Sequence, residues 1–99
     1  MIQHVVMWKL IDQDPAGQKT AVDAMAAALE PLVGQIDGLE AVSVRPNAAN
    51  AAANWDVILV STHPSFDALA VYATHPLHVA AGAVVKANTR ERASVDFEI

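Results

Sequence analysis

Four stretches of this chain carry the short-period apolar pattern of β-strands. Residues 2–11, 39–45, 55–62 and 91–99 alternate in polarity or run apolar, and turn residues bound them, which is typical of strands. The first and third stretches are apolar on both faces, as in Val57-Ile58-Leu59-Val60, so both faces of their sheet are expected to be covered. The last stretch is apolar on one face only, at Ala93, Val95, Phe97 and Ile99.

The first helix is predicted after residue 14. Asp14 suits an N-cap and Pro15 suits the first helical position. Pro31 is expected to kink or interrupt this helix near residues 27–30, because proline lacks the backbone N–H and clashes with the preceding turn. The apolar residues of the helix recur at intervals of three and four, at Val22, Met25, Leu29, Leu32, Val33 and Ile36.

A second helical region contains the least ordinary residues of the chain. Ser65 is its predicted cap, and Pro76 ends one segment and starts another that runs from 77 to about 88. This region holds the only tyrosine, Tyr72, and His78. Six positions on an unbroken helix correspond to about 600°, so the two side chains would diverge. A break at Pro76 makes their convergence possible.

The resulting order, βαββαβ, predicts a ferredoxin-like α+β fold formed by residues 1–99 as a single domain. Such a fold is a four-stranded antiparallel sheet with both helices on one face, which leaves the other face bare. Hydrophobic residues make up 54% of the chain and charged residues only 17%, more apolar surface than a small monomer hides. We therefore expect a homodimer that packs through the bare sheet face about a two-fold axis.

Composition excludes several classes of function. The net charge is −5 and no basic run is present, so no nucleic-acid partner is expected. The chain has no cysteine, hence no disulfide or thiol chemistry. No apolar run approaches the ~20 residues of a membrane span, and the start of the chain lacks the pattern of a signal peptide. We expect no membrane partner and a cytoplasmic location. The charged run Arg90-Glu91-Arg92 is interpreted as a solvated cluster.

Taken together, four pieces of the sequence resemble the stress-responsive A/B barrel (Dabb) family. They are Ile2–Leu10, Ile36-Asp37-Gly38-Leu39, the pattern Tyr72-x-x-His75-Pro76-x-His78, and Asp96-Phe97. The resemblance implies a dimeric α+β barrel, in which two sheets pack face to face. It also implies a pocket between the sheet and the helices, because a plant member of the family cyclises a linear polyketide there without metal or organic cofactor.

The resemblance assigns roles to individual residues. The catalytic tyrosine and histidine of the plant enzyme match Tyr72 and His78, and its first-strand histidine matches His4. In an aldol-type closure, a neutral imidazole at His78 would accept a proton and the Tyr72 phenol would hold the carbonyl oxygen. The plant enzyme has aromatic residues on its first helix, whereas this chain has none there, so the substrate does not carry over. The expected ligand is a small hydrophobic molecule.

Other residues are predicted around the same pocket. Trp8 and Trp55 are assigned to the helix-facing side of the sheet, and Trp8 is a candidate for the pocket wall. His75 precedes Pro76 in a capping position and is also kept as a ligand contact. The full set of expected ligand contacts is His4, Trp8, Met25, Leu59 and His75. Three functions remain open: a cofactor-independent cyclase or isomerase, a non-enzymatic stress-associated dimer, and a monooxygenase-like domain.

Metal binding is not expected. His63, His75 and His78 are the histidines close enough in sequence to be considered as ligands. Pro76 disturbs their spacing, and no nearby carboxylate completes a common site. No metal is therefore predicted, and the resemblance to the Dabb family implies no organic cofactor.

Overall fold

The ferredoxin-like α+β fold predicted from the sequence is confirmed. The structure is a computed structural model and describes residues 1–99. Its elements are β1 (Ile2–Leu10), α1 (Pro15–Leu29), a 3-10 turn (Glu30–Leu32), β2 (Ala41–Pro46), β3 (Val57–His63), α2 (Phe66–Thr74), α3 (Pro76–Asn88) and β4 (Thr89–Glu98).

The first helix starts and ends where its sequence signals lie. The Asp14 side chain accepts hydrogen bonds from the backbone N–H groups of Ala16 and Gly17, which would otherwise lack partners at a helix start. The α-helix ends at Leu29, and Pro31 lies inside the 3-10 turn that follows. The predicted interruption therefore occurs, and the apolar stripe continues beyond it to the buried Leu32 and Ile36.

The sheet has the strand order β2-β3-β1-β4, with every neighbouring pair antiparallel. Its register aligns polar residues across three strands, since His4 of β1 lies opposite Ser61 of β3 and opposite Asp96 of β4. Residues opposite one another in an antiparallel pair point to the same face. A polar row thus crosses the helix-facing side of an otherwise apolar sheet.

The core lies between that face and the helices. It comprises 16 buried hydrophobic residues, among them Trp8, Met25, Leu59 and Tyr72. Met25 is fully buried. From β1 the core takes Val6, Trp8 and Leu10, which share one face because side chains alternate along a strand.

The other face of the sheet is uncovered and apolar. Val95 and Phe97 of β4 point to it, and their exposed fractions are 61% and 40%. Val5 and Met7 lie beside them on β1, as the register pairs Val5 with Val95 and Met7 with Ala93. The apolar face of β4 therefore points away from the chain's own helices.

Trp55 corrects one assignment made from the sequence. β3 begins at Val57 rather than at Trp55, so the strand alternation does not extend back to the tryptophan. Its ring lies under the Lys9 ammonium, 5.5 Å from Nζ to the ring centroid, and Lys9 points to the uncovered face. Asp56 fixes this segment, because its N–H donates to the Trp8 carbonyl and its carboxylate accepts from the Leu10 N–H.

No single helix is long and apolar enough to cross a membrane. α2 and α3 reach the required length and composition only when taken together, and they are bent by 67° at their junction.

Candidate functional site

The junction of α2 and α3 places two functional side chains together. His75 ends α2 and caps α3, since its Nδ1 accepts a hydrogen bond of 3.1 Å from the Leu77 N–H. Pro76 occupies the first position of α3, where its missing N–H leaves no bond unmade. The 67° bend that results brings the rings of Tyr72 and His78 to a centroid distance of 4.2 Å.

These two rings are part of a longer row. The His63 ring lies 5.0 Å from Tyr72 and 6.5 Å from the His4 ring, measured between centroids. The row thus runs from β1 through β3 and α2 to α3 and holds three of the four histidines. His63 entered the sequence reasoning only as a metal ligand. Its position on the strand face shared by Leu59 and Ser61 is the sequence signal that would have placed it in this row.

Tyr72 carries an unpaired hydroxyl. The residue is 1% exposed, and its hydroxyl oxygen has no hydrogen-bonding partner in the chain. Buried hydroxyls normally have a partner, because leaving one unpaired is costly. Burial raises the pKa of Tyr72 to about 12, so the phenol stays protonated at neutral pH. It is therefore a hydrogen-bond donor available to a bound molecule.

His78 has the complementary character. Its Nδ1 lies 3.1 Å from the Ala73 carbonyl oxygen, and a carbonyl only accepts, so Nδ1 carries the proton in the neutral ring. Nε2 is then left as an acceptor. Burial lowers the pKa of His78, and the positive charge of Arg92 acts in the same direction, although the bond to Ala73 partly opposes them. The ring is consequently a neutral base at neutral pH.

The remaining two histidines are held by polar neighbours. The Asp96 carboxylate accepts a hydrogen bond from His4 Nδ1, an interaction across the β1–β4 pair. His63 is fully buried, and its Nε2 lies 2.9 Å from the Ser61 hydroxyl, while its Nδ1 has no partner. Burial lowers the pKa of His63, and the nearby His4 adds to this effect. The sequence alone does not indicate this role of Asp96.

A cavity of about 420 Å³ lies between the sheet and α3. Five residues that were candidates for the site line it: His4, Trp8, Leu59, Tyr72 and His78.

Two other candidates do not line this cavity. Met25 is buried in the core, because α1 packs mainly on β2 and α3 and contributes only Leu29 to the cavity wall. His75 uses its side chain to cap α3 and does not reach the cavity. The structure thus separates both from the five residues that share the cavity.

The mouth of the cavity is charged, which the alternation along the last strand does not predict. Lys86, Arg90, Glu91 and Arg92 line it together with Thr89. The expectation of a solvated charge cluster at residues 90–92 is only partly met. The run is exposed, but β4 turns Arg92 toward the helix-facing side, opposite Trp8. The cavity therefore combines an apolar wall, a row of histidines with one tyrosine, and a predominantly basic mouth.

Comparison with known proteins identifies the family. The model of the stress responsive A/B barrel domain (Dabb) matches residues 2–99. The chain belongs to this family. No curated protein sequence matches it significantly.

Solved structures of other proteins share the fold of this Dabb chain. A dimeric protein of unknown function from Bacteroides fragilis is 32% identical, with a TM-score of 0.85 over 99% of this chain and 95% of that one. A dimeric ferredoxin-like protein from Jannaschia is 25% identical, with a TM-score of 0.80 over 99% and 98% of the two chains. The hydroxynitrile lyase from Passiflora edulis shares the fold at 12% identity, with a TM-score of 0.79 over 99% and 92%.

Within this Dabb domain, two complementary polar side chains of the cavity lie next to each other at the junction of α2 and α3. Tyr72 and His78 offer a donor and a neutral base side by side. No group of three or more His, Cys, Asp or Glu side chains is arranged to hold a metal ion. This arrangement can bind a ligand oxygen through the Tyr72 hydroxyl. It can also accept a proton from a neighbouring ligand atom at His78.

Proposed function

We propose that this Dabb protein binds a small, largely hydrophobic carbonyl compound in its cavity and catalyses cofactor-independent proton transfer next to the carbonyl, as in a cyclisation or an isomerisation. The observation that carries the proposal is the buried, unpaired hydroxyl of Tyr72, whose ring centroid lies 4.2 Å from that of His78. A hydroxyl in such surroundings is stabilised by a ligand oxygen that accepts its hydrogen bond.

The two side chains supply the two functions that enolisation needs. His78 Nε2 accepts a proton from the carbon next to the carbonyl, so that the C–H bond breaks and its electron pair moves onto the carbonyl oxygen. The Tyr72 hydroxyl donates a hydrogen bond to that oxygen as it gains charge. The enolate carbon then either attacks a second carbonyl, which closes a ring and leaves an alkoxide that takes the proton back from His78, or takes that proton back at another carbon, which isomerises the ligand.

The protonation states fit these roles. The pKa of Tyr72 is raised to about 12, which keeps the donor protonated. The pKa of His78 is lowered by burial, which keeps the base neutral. His4 lies at the far end of the row of rings, and the Asp96 carboxylate orients it with Nε2 free as an acceptor. His4 is thus a second polar group for a ligand that carries more than one oxygen.

We also propose that the protein is a homodimer formed through the uncovered sheet face. The apolar surface of Val5, Met7, Val95 and Phe97 supports this assembly, because contiguous exposed apolar surface of this kind usually marks an interface. The relatives from Bacteroides fragilis and Jannaschia are described as dimeric. The cavity lies on the opposite side of the sheet, so each protomer keeps its own site.

Deuterium exchange into a simple ketone tests the enzymatic step. The protein is incubated with 2-nonanone in D₂O, and incorporation next to the carbonyl is followed by NMR. We expect catalysed exchange with the wild type, a loss of about 10²–10⁴-fold in His78→Gln and a loss of about 10²–10³-fold in Tyr72→Phe. His75→Asn is the matched control, because it changes a neighbouring histidine outside the cavity and keeps a capping side chain.

Three results would contradict the enzymatic proposal. Exchange that is equal in wild type and both variants would show that the pair does not catalyse it. Binding of 2-nonanone, seen as a raised melting temperature, without any exchange would favour the non-enzymatic dimer. Oxygen consumption in the same samples would favour the monooxygenase-like alternative.

A further inference from the structure

The positive charges of this chain are distributed unevenly between paired and unpaired positions. Of the six lysine and arginine side chains, three form ion pairs with carboxylates and Lys9 lies over the Trp55 ring. The two that have neither partner are Lys86 and Arg92, and both line the cavity mouth. Arg92 donates a hydrogen bond only to the Ser94 hydroxyl, at 3.3 Å.

No side chain fills the part of the cavity wall between Lys86 and the proposed catalytic residues Tyr72 and His78, because a glycine lies there. His78, Gly82 and Lys86 follow one another at intervals of four on α3 and line the cavity along one helix face. Glycine inside a helix is destabilising relative to alanine. Yet a Cβ added at Gly82 would meet no atom within 4 Å, so packing does not require glycine here. Its effect is to leave room in the cavity.

We infer that the ligand is an amphipathic anion whose carboxylate or phosphate group lies between Lys86 and Arg92, and whose chain runs past Gly82 to place a carbonyl at Tyr72 and His78. This inference rests on the proposed function and names the class of its substrate. Eight positions along α3 correspond to about 12 Å, which requires several carbon atoms between the anionic group and the reacting carbonyl.

The acidic character of the whole protein contrasts with the unpaired cations at the cavity. The net charge is −5, which disfavours the approach of anions in general. Glu91 also lines the mouth, but Arg90 pairs with it at 3.0 Å. Two unpaired cations on opposite walls of one cavity, one on α3 and one on β4, therefore form a local exception to an acidic surface. Binding of an anion in this cavity would therefore be due to Lys86 and Arg92 and not to the net charge of the protein.

Isothermal titration with three matched ligands tests the inference. Decanoate, decyl phosphate and 1-decanol share a chain length and differ in the head group. We expect the wild type to bind at least one anion about tenfold or more tightly than 1-decanol, and the preference to weaken as salt is added. Lys86→Met and Arg92→Gln should each reduce that preference by about three- to tenfold. The two anions distinguish a carboxylate site from a phosphate site.

Lys19→Met is the control, since it removes the same charge outside this cavity and should leave the preference unchanged. Equal binding of 1-decanol and both anions, with ketone exchange intact, would overturn the inference while leaving the proposed function in place. An equal loss of preference in Lys19→Met would overturn it too, because the effect would then be one of net charge. Failure of all three ligands to bind would overturn both the inference and the proposed pocket.

Discussion

The ring centroids of Tyr72 and His78 lie 4.2 Å apart, on either side of the break between α2 and α3. The break brings the two rings together, because α2 ends at Thr74 and α3 starts in a new direction at Pro76. Tyr72 holds its hydroxyl buried and unpaired in this position. Such a group is a cost to the folded state, and a function that uses it explains why it is kept.

Replacing Tyr72 by phenylalanine should therefore stabilise the protein while it lowers activity. Removing a buried hydroxyl without a partner is expected to raise the free energy of unfolding by about 1 kcal/mol, or the melting temperature by about 4–8 °C for a domain of this size. Urea and thermal unfolding at fixed protein concentration measure this change. A loss of stability in Tyr72→Phe would mean that the hydroxyl has a structural role, and the catalytic assignment would lose its main support.

The sequence predicted this pair but not its surroundings. The break at Pro76 is a local signal that makes the convergence of Tyr72 and His78 possible, and strand alternation puts His4 on the same face as Trp8. The grouping of all three around one pocket came from the resemblance to the Dabb family. The contact of His4 with Asp96 joins residues 92 positions apart. It depends on the pairing register of β1 with β4, which local periodicity does not specify.

The charged mouth was missed for a related reason. β4 alternates between an apolar and a polar face, and a polar face is normally assigned to solvent. In this fold the apolar face of β4 points to the uncovered side of the sheet, as Val95 and Phe97 do. Its polar face therefore turns toward the cavity and carries Arg92 and Asp96. The alternation of polarity along a strand predicts that it has two different faces, but it does not specify which face packs against the helices.

Filling the cavity at Gly82 should block binding without harming the fold. Leucine has a higher helix propensity than glycine. Its side chain would extend into the cavity, because no atom lies within 4 Å of a Cβ at this position. We expect Gly82→Leu to unfold at the same or a higher temperature and to bind decanoate and 2-nonanone about tenfold or more weakly. Ala83→Leu is the control on an exposed position of the same helix. Unchanged affinity in Gly82→Leu would place the ligand elsewhere.

Acid should destabilise the protein through its buried histidines. The pKa values of His63 and His78 are lowered in the folded state, so the unfolded chain binds more protons below the ordinary histidine pKa of about 6.5. The free energy of unfolding therefore falls as the pH drops from about 7 toward the lowered pKa values. Asp96 counteracts this effect at His63, whereas His4 and His78 add to it.

Urea unfolding between pH 5 and pH 8 measures this dependence. In His63→Gln, where the amide can still bond the Ser61 hydroxyl, we expect a shallower decline of stability below pH 7 than in the wild type. Above that pH the curves of the two proteins should run parallel, because histidine is neutral in both the folded and the unfolded state and the two states bind equal numbers of protons there. Parallel curves over the whole range would contradict the assignment of His63 as a buried neutral ring.

A single charge on the uncovered sheet face should disrupt the proposed dimer. Val95 lies in the apolar surface of β4, and Val79 lies on α3 with almost the same exposure, 61% and 60%. Lysine at Val95 would bury an unpaired charge in the interface, whereas lysine at Val79 would remain in solvent. We expect size exclusion with light scattering to find dimers for the wild type and Val79→Lys, and monomers or a concentration-dependent mixture for Val95→Lys. If Val79→Lys dissociates and Val95→Lys does not, the interface lies on the helical side, and the two sheets do not meet face to face.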